Sequence, residues 1–176
     1  MRPADLTIAA LGPDEVAAHL PALVGVLRDA VDDGASVGFL PPLTDEEARD
    51  YWRGVGAALR DGSRLLLIAR RGDGPVVGTV QLDLAMRANA THRAEVSKLM
   101  VHRAARRQGL AQALMQALEA EARRLGRTTL FLDTRQGDPS ERLYRALGYQ
   151  EAGTIPQYAR SADGTLAATV FYYKLL

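Results

Sequence analysis

The 176-residue chain contains no cysteine. That excludes disulfides, a cysteine nucleophile and a thiolate metal site. Excess charge of one sign is also lacking. A formal net charge of +1 supplies no field on the scale that nucleic acid requires, so no nucleic-acid partner is expected. No apolar run reaches bilayer-spanning length, and no membrane partner is expected. Met1 to Leu20 carries Asp5, Asp14 and Glu15 without a continuous apolar stretch, so no secretory leader is expected and a cytoplasmic location is the default. His19, His92 and His102 have no metal-ligand spacing, and no metal is expected. Repeats, low-complexity tracts and linkers are missing as well. With 47% apolar residues the chain has enough to bury one sizeable core, so residues 1–176 are read as one domain.

What is present concentrates between Ala94 and Leu125. Ala94 to Val101 alternates with the period of a β-strand, which places Glu95 on one face with Leu99 and Val101. A basic turn, Arg106-Arg107-Gln108-Gly109-Leu110-Ala111, follows. Leu110, Leu114, Leu118 and Leu125 then recur at helical spacing. Small residues and arginines therefore gather where a helix begins. Its first N–H groups are unpaired and carry about half a positive charge, which suits a phosphate. Gly109 and Ala111 let backbone amides come close to such an anion. The phosphate loops G-x-x-x-x-G-K-[ST] and G-x-G-x-x-G are both absent from this region.

The remaining elements follow from the same rules. A first strand is expected at Leu6–Ala10. A helical stripe from Val16 to Val31 follows, broken near Leu20 by Pro21. After a glycine- and proline-rich loop from Gly34 to Leu43, Thr44 and Glu47 form a capping box for a helix to about Arg60, with Trp52 in its core. Arg64–Arg70 and Val76–Met86 form a hairpin. Thr128 to Thr134 is a buried strand, and Ser140 to Tyr149 a short helix stopped by Gly148. Strands near Tyr149–Thr154 and at Leu166–Leu175, joined by a loop, complete the chain.

The R-x-x-G-x-A turn after the strand ending Leu99-Met100-Val101 resembles the acyl-CoA signature of the GNAT superfamily of N-acetyltransferases. Tyr144, four residues before Gly148-Tyr149, matches the second signature of that family. A closer resemblance, from about Gly34 onward, is to bacterial tabtoxin-resistance acetyltransferases. It is carried by Gly34-Ala35-Ser36-Val37-Gly38-Phe39, Arg93 to Val101, Leu132-Asp133-Thr134, Pro156, Tyr158, Asp163-Gly164 and Phe171 to Lys174. The resemblance implies an α/β (α+β) GNAT fold, with a mixed, mostly antiparallel twisted sheet of about seven strands flanked by about four helices. The expected order is β-α-α-β-β-β-α-β-α-β-β.

It further implies acetyl-CoA as cosubstrate. The arm of the cosubstrate would lie along Leu99, Met100 and Val101. Its pyrophosphate would sit on Arg106, Arg107, Gln108, Gly109, Leu110 and Ala111. Direct transfer to an amine needs a base, and Glu95 and Asp133 are both candidates. Tyr144 is the candidate acid for the departing thiolate. Ser36, Phe39 and Tyr158 are candidates for lining the acceptor pocket. Many family members carry an asparagine where this chain has Gly137; Asp138 or Ser140 are the replacements at hand. The expected partner is a small-molecule amine, with an amino-acid-like toxin or antibiotic in view, and the protein a monomer or homodimer. Acetylation of protein N-termini or lysines, and a catalytically silent acyl-CoA sensor, are the alternatives.

Overall fold

The computed structural model describes residues 6–176. Among them, seven strands and four α-helices follow the expected order. The strands are β1 (Leu6–Ala10), β2 (Arg64–Arg71), β3 (Val76–Leu84), β4 (Arg93–Val101), β5 (Thr129–Arg135), β6 (Gln150–Arg160) and β7 (Leu166–Leu175). The helices are α1 (Val16–Asp32), α2 (Asp45–Arg60), α3 (Leu110–Arg124) and α4 (Ser140–Ala146). All strands lie in one sheet of order β1-β2-β3-β4-β5-β7-β6. Only the central β4–β5 pair is parallel; its neighbours are antiparallel.

Each sheet face carries its own core. On one, Leu67, Val80, Leu82, Val96, Leu130 and Leu132 pack against Leu110, Leu114 and Leu118 of α3 and Tyr144 of α4. On the other, Leu66, Ile68 and Met100 meet Leu23 and Leu27 of α1 and Trp52 of α2. Helix α2 begins as its capping box dictates. Thr44 Oγ1 accepts from the Glu47 N–H at 3.2 Å, and Glu47 Oε2 accepts from the Thr44 N–H at 2.9 Å.

Three expectations are corrected. Pro21 does not break the first helix, because α1 runs unbroken through it. Pro21 and Ala17 are exposed, so the Ala17 carbonyl that loses its partner faces water, while Leu23, Val24, Leu27 and Val31 are buried. The strand expected at Tyr149–Thr154 continues to Arg160, with an irregularity between Ile155 and Ala159. Pro156 and Tyr158 therefore belong to β6 and not to a loop. The most consequential correction concerns β4, where Glu95 does not share a face with Leu99 and Val101. Opposite β4, Thr79 pairs with Met100 and Gln81 with Ser97. Lys98 and Leu99 thus stand against the single residue Val80, with Lys98 at φ 51°. One inserted residue reverses the inward–outward alternation. Leu99 and Val101 join Val96 over α3, while Met100 turns to the α1–α2 side.

The same bulge bends β4 where its pairing with β5 ends. Parallel pairing covers only Arg93–Glu95 with Thr129–Phe131, so the strands diverge beyond Glu95. Arg127 fastens the closed end, donating to the carbonyls of Ala85 at 2.8 Å and of Thr91.

Asp29 of α1 secures the chain leaving β4. It accepts from the Arg103 backbone N–H and from Arg103 Nε, each at 2.8 Å. Burial pushes the Asp29 pKa up, but the Arg103 hydrogen bonds and the nearby His102 and Arg103 charges outweigh it, and the net shift is downward. A carboxylate held low contributes stability in full above its unfolded pKa of about 4 and loses it as pH falls through the folded value. Asp29→Asn is expected to cost about 2 kcal/mol at pH 7 in urea unfolding. The difference from wild type should shrink steadily in acid.

Candidate active site

The divergence of β4 and β5 leaves the β5-facing edge of Ser97 to Val101 without a strand partner among the described residues. At the bulge, Thr79 Oγ1 donates to the Lys98 carbonyl at 3.1 Å. This directs that carbonyl toward β3. Because the peptide is planar and trans, the Leu99 N–H points the opposite way, into the gap. An N–H held so in a sparsely solvated cleft is placed to bind negative charge developing on a carbonyl oxygen.

Beyond the open end, Arg103–Ala105 forms a single 3₁₀ turn and the chain enters α3. Gly109, at φ 77°, is the N-terminal boundary residue and supplies no side-chain cap. The first α-helical bond runs from the Ala113 N–H to the Gly109 carbonyl at 3.0 Å, so the amides of Leu110, Ala111 and Gln112 stay available. A cavity of about 420 Å³ lies there, lined by Val101, Arg106, Arg107, Gly109, Leu110 and Ala111. Pro139 and Leu143, which sequence reasoning did not include, come from the α4 segment and complete the wall.

The two arginines of the turn divide their duties. Arg106 donates to the Val101 carbonyl at 3.0 Å and to Asp33 at 2.5 Å, so it braces the loop. Arg107, at φ 58°, makes no side-chain hydrogen bond or ion pair among the described residues and is the free cation. Gln108 receives a hydrogen bond from Arg71.

On the α1–α2 face of the gap stands a cluster of charge. Arg64, Asp83 and Glu95 occupy matching positions across β2, β3 and β4. Arg64 Nε meets Asp83 Oδ1 at 2.5 Å, and Ser97 Oγ donates to Asp83 Oδ2 at 2.7 Å. Asp133 joins them from β5, on the side opposite core residues Leu130 and Leu132. Burial pushes the Glu95 pKa above the usual carboxylate range, and the Asp83 and Asp133 charges add to it against Lys98 and Arg64. Burial raises Asp133 too, with Lys98 opposing. Both acids are thereby better bases than an exposed carboxylate.

Lys98 stands beside these acids. Its ammonium lies 5.7 Å from the centre of the Tyr51 ring, and an ideal Cβ on Gly38 would stand 3.8 Å from Nζ. Burial lowers its pKa, with Asp83, Glu95 and Asp133 pulling the other way. It forms no ion pair within 4 Å among the described residues, and balances the acids through space.

Tyr144 approaches the gap from the opposite face. Its buried ring packs 6.0 Å from Tyr149 and 6.1 Å from Tyr172. Its hydroxyl makes no hydrogen bond among the described residues. Desolvation, aided by the Asp133 and Asp138 charges, raises the phenol pKa, so it stays protonated as a donor. The short α4 helix that carries it is pinned by Glu141. That carboxylate accepts from Tyr172 Oη at 2.6 Å, from the Gly137 N–H at 2.6 Å and from Arg145 at 2.8 Å. Neither replacement for the asparagine missing at Gly137 is unengaged. Asp138 holds Arg135, and Ser140 shares a hydrogen bond with Thr134.

Ser36 and Phe39 line another cavity, of about 240 Å³, between the end of α1, the loop at residues 34–41 and the ends of β5 and β6. Phe39 also packs edge-on to Tyr51 at 5.3 Å. Tyr158 is half exposed on β6, edge-on to Phe171 at 5.5 Å, and does not line this cavity; its neighbours Ala159 and Arg160 do. No group of three or more His, Asp or Glu suited to a metal ion occurs among the described residues. No helix there is long and apolar enough to cross a membrane.

A split central sheet, with an aimed amide in the split and a helix N-terminus at its mouth, defines a class. A profile of the acetyltransferase (GNAT) family matches residues 26–149, and the chain belongs to that family. An uncharacterised N-acetyltransferase from the hisH–hisA intergenic region of Azospirillum brasilense is 37% identical over 110 residues, covering 61% of this chain and 63% of that relative. The match thus spans less than two thirds of the relative's length. The ribosomal-protein-alanine N-acetyltransferase structure from Brucella melitensis is 28% identical, with TM-score 0.80 over 97% of this chain and 99% of the other. A GNAT superfamily phosphinothricin acetyltransferase from Sinorhizobium meliloti, in complex with acetyl-CoA, shares the fold at TM-score 0.79. It is 20% identical over 98% of this chain and 89% of its own.

Proposed function

We propose that the protein transfers an acetyl group from acetyl-CoA directly to the primary amine of a small molecule, within a complex that holds both substrates. The observation that carries this reading is the Leu99 N–H aimed into the β4–β5 gap, with the free amides of α3 at the mouth and two acids of raised pKa across it. These residues fit acetyl-CoA, because an unpaired strand edge and orphan helix amides are what an amide-bearing arm and a pyrophosphate would satisfy. Acetyl-CoA supplies the acetyl group as an activated thioester.

The chain's own residues supply the rest. Leu110, Ala111 and Gln112 amides, with Arg107, hold the pyrophosphate. The edge of Leu99 to Val101 pairs with the arm, and the Leu99 N–H stabilises negative charge on the carbonyl oxygen. Glu95 or Asp133, directly or through a water, takes the proton that the ammonium must lose before it is nucleophilic. Tyr144 donates to the departing sulfur. Its raised pKa makes it a reluctant acid, but a thiolate confined in the same dry space is made more basic by the same desolvation.

Likeness to a ribosomal-protein-alanine N-acetyltransferase favours a second reading, in which the acceptor is a protein N-terminus. The small size of the cavity beside residues 34–41, about 240 Å³, favours a compact acceptor instead. Calorimetry with acetyl-CoA, followed by thiol release across panels of small amines and short peptides, tests both. Saturable acetyl-CoA binding and thiol release with small amines are expected. No association with acetyl-CoA overturns acetyl transfer, and turnover of peptides alone overturns the small-molecule reading.

A further inference from the structure

The two halves of the sheet are finished differently on the side that carries the acids. The strand residues of the core there are Leu66, Ile68, Val76 and Met100, all from β2, β3 and β4. On β5, β7 and β6 the same side presents Phe131, Phe171, Tyr173 and Tyr158, and none of these belongs to either core. Phe131 alternates with core residues Leu130 and Leu132, and Phe171 and Tyr173 with Val170 and Tyr172, so all three point away from α3. Tyr158 joins them from the irregular stretch of β6. Its ring stands perpendicular to Phe171 at 5.5 Å, and the residue is 51% exposed.

Strand register sets these rings beside the acids. Glu95 pairs with Phe131 across β4 and β5, and Asp133 pairs with Phe171 across β5 and β7. Side chains opposed in this way start about 5 Å apart. Two of the rings are already engaged. The Arg93 guanidinium lies 5.7 Å from the centre of Phe131, and Tyr173 donates its hydroxyl to Gln150 at 2.9 Å. Phe171 is different, because its partner on β6 is Gly153. An ideal Cβ on that glycine would meet nothing within 4 Å, so space stays open next to the Phe171 ring.

An aromatic surface continuous with two carboxylates suits a cation that carries an apolar body. A second copy of the chain laid over Phe171 would also cover Asp133 next to it, which proton removal needs open. We infer that the acceptor is an arylalkylamine, whose ammonium meets Glu95 and Asp133 while its ring lies against Phe171 and Tyr158. The inference rests on the acetyl-transfer reading for the fate of the amine, and not for the aryl site itself. A linker of about two carbons between ring and nitrogen matches the cross-strand spacing of about 5 Å. Phe171 and Tyr158 thereby act on specificity.

Two arms separate this inference from the function it rests on. In the first, 2-phenylethylamine, butylamine and 2-phenylethanol are titrated calorimetrically into wild type, Tyr158→Ser and Phe171→Thr, with and without coenzyme A, so that nothing turns over. Wild type should bind 2-phenylethylamine at least tenfold more tightly than the other two, since butylamine lacks the ring and 2-phenylethanol the charge. Both variants should bind it at least tenfold more weakly, with acetyl-CoA affinity unchanged. Tyr158→Ser keeps the test sound if Phe171→Thr disturbs the sheet, because Tyr158 is exposed and outside both cores. In the second arm, thiol release with 2-phenylethylamine is compared with butylamine. Wild type should favour the aryl amine at least tenfold, through KM, and both variants should lose the preference. Equal or better use of butylamine overturns the inference, as does binding that is undetectable in both conditions or unchanged by the variants. Sedimentation of wild type as a dimer that Tyr158→Ser dissociates overturns it too, since a second copy then occupies the face. Loss of acetyl-CoA binding in wild type would instead condemn the acetyl-transfer reading, while the first arm still decides the aryl site.

Discussion

Tyr144→Phe should lower kcat by about 10²-fold while changing acetyl-CoA affinity by no more than about twofold. The asymmetry follows from what the hydroxyl touches. The Tyr144 ring packs against Tyr149 and Tyr172, and phenylalanine preserves that packing. The hydroxyl has no hydrogen-bond partner among the described residues, so its loss leaves no buried group unsatisfied and folding stability should change little. What disappears is a hydroxyl donor that no other group among the described residues engages. Single-turnover thiol release set beside calorimetric affinity checks this. An unchanged kcat would remove Tyr144 from the chemistry.

The second large effect concerns the acids. Glu95→Gln/Asp133→Asn is expected to reduce kcat/KM by about 10²- to 10⁴-fold, the range for losing proton abstraction. The single variants identify the base by pH. Both carboxyl groups are raised, and a base works only when deprotonated. Activity should therefore climb with pH through a limb lying above the ordinary carboxylate range of about 4. If Glu95 is the base, Asp133→Asn removes a like charge beside it, and the limb moves to lower pH. If Asp133 is the base, Asp133→Asn abolishes the limb while Glu95→Gln keeps it. Lys98→Met must move the limb upward in either case, because its charge favours both carboxylates. A limb indifferent to Lys98 would refute the electrostatic account of the cluster.

Lys98 also shows where a linear reading reaches its limit. The helix start at Leu110, the capping box at Thr44, the hairpin and the buried strand at 129–135 are all written in local chemistry, and all lie where expected. The bulge is not. Positive φ is normally signalled by glycine or asparagine, and here it falls on a lysine. The strain is tolerated because Thr79, from another strand, holds the Lys98 carbonyl. Asp83, Arg64 and Arg127 were invisible for a similar reason, since their roles exist only once β2, β3 and β4 are side by side. Pro21 misleads in the other direction, because a local prohibition gives way when the freed carbonyl faces solvent and the opposite stripe is buried. The cavity at the start of α3 was legible as far as the turn at 106–111 supplies it, while Pro139 and Leu143 reach it only through the fold; the cavity beside residues 34–41 was half legible, because Arg135, Ala159 and Arg160 come to it from strands distant in sequence.

The reversal of alternation within β4 has a consequence for how such a protein diversifies. The cavity at the start of α3 draws on the end of β4, the turn after it, α3 and the α4 segment, whereas the other cavity draws on the end of α1, the 34–41 loop and the ends of β5 and β6. The strands stand between them like a bulkhead. Mutations that redraw one compartment leave the other's walls intact, so on the proposed reading descendants can trade one acceptor for another without relearning how to hold the donor.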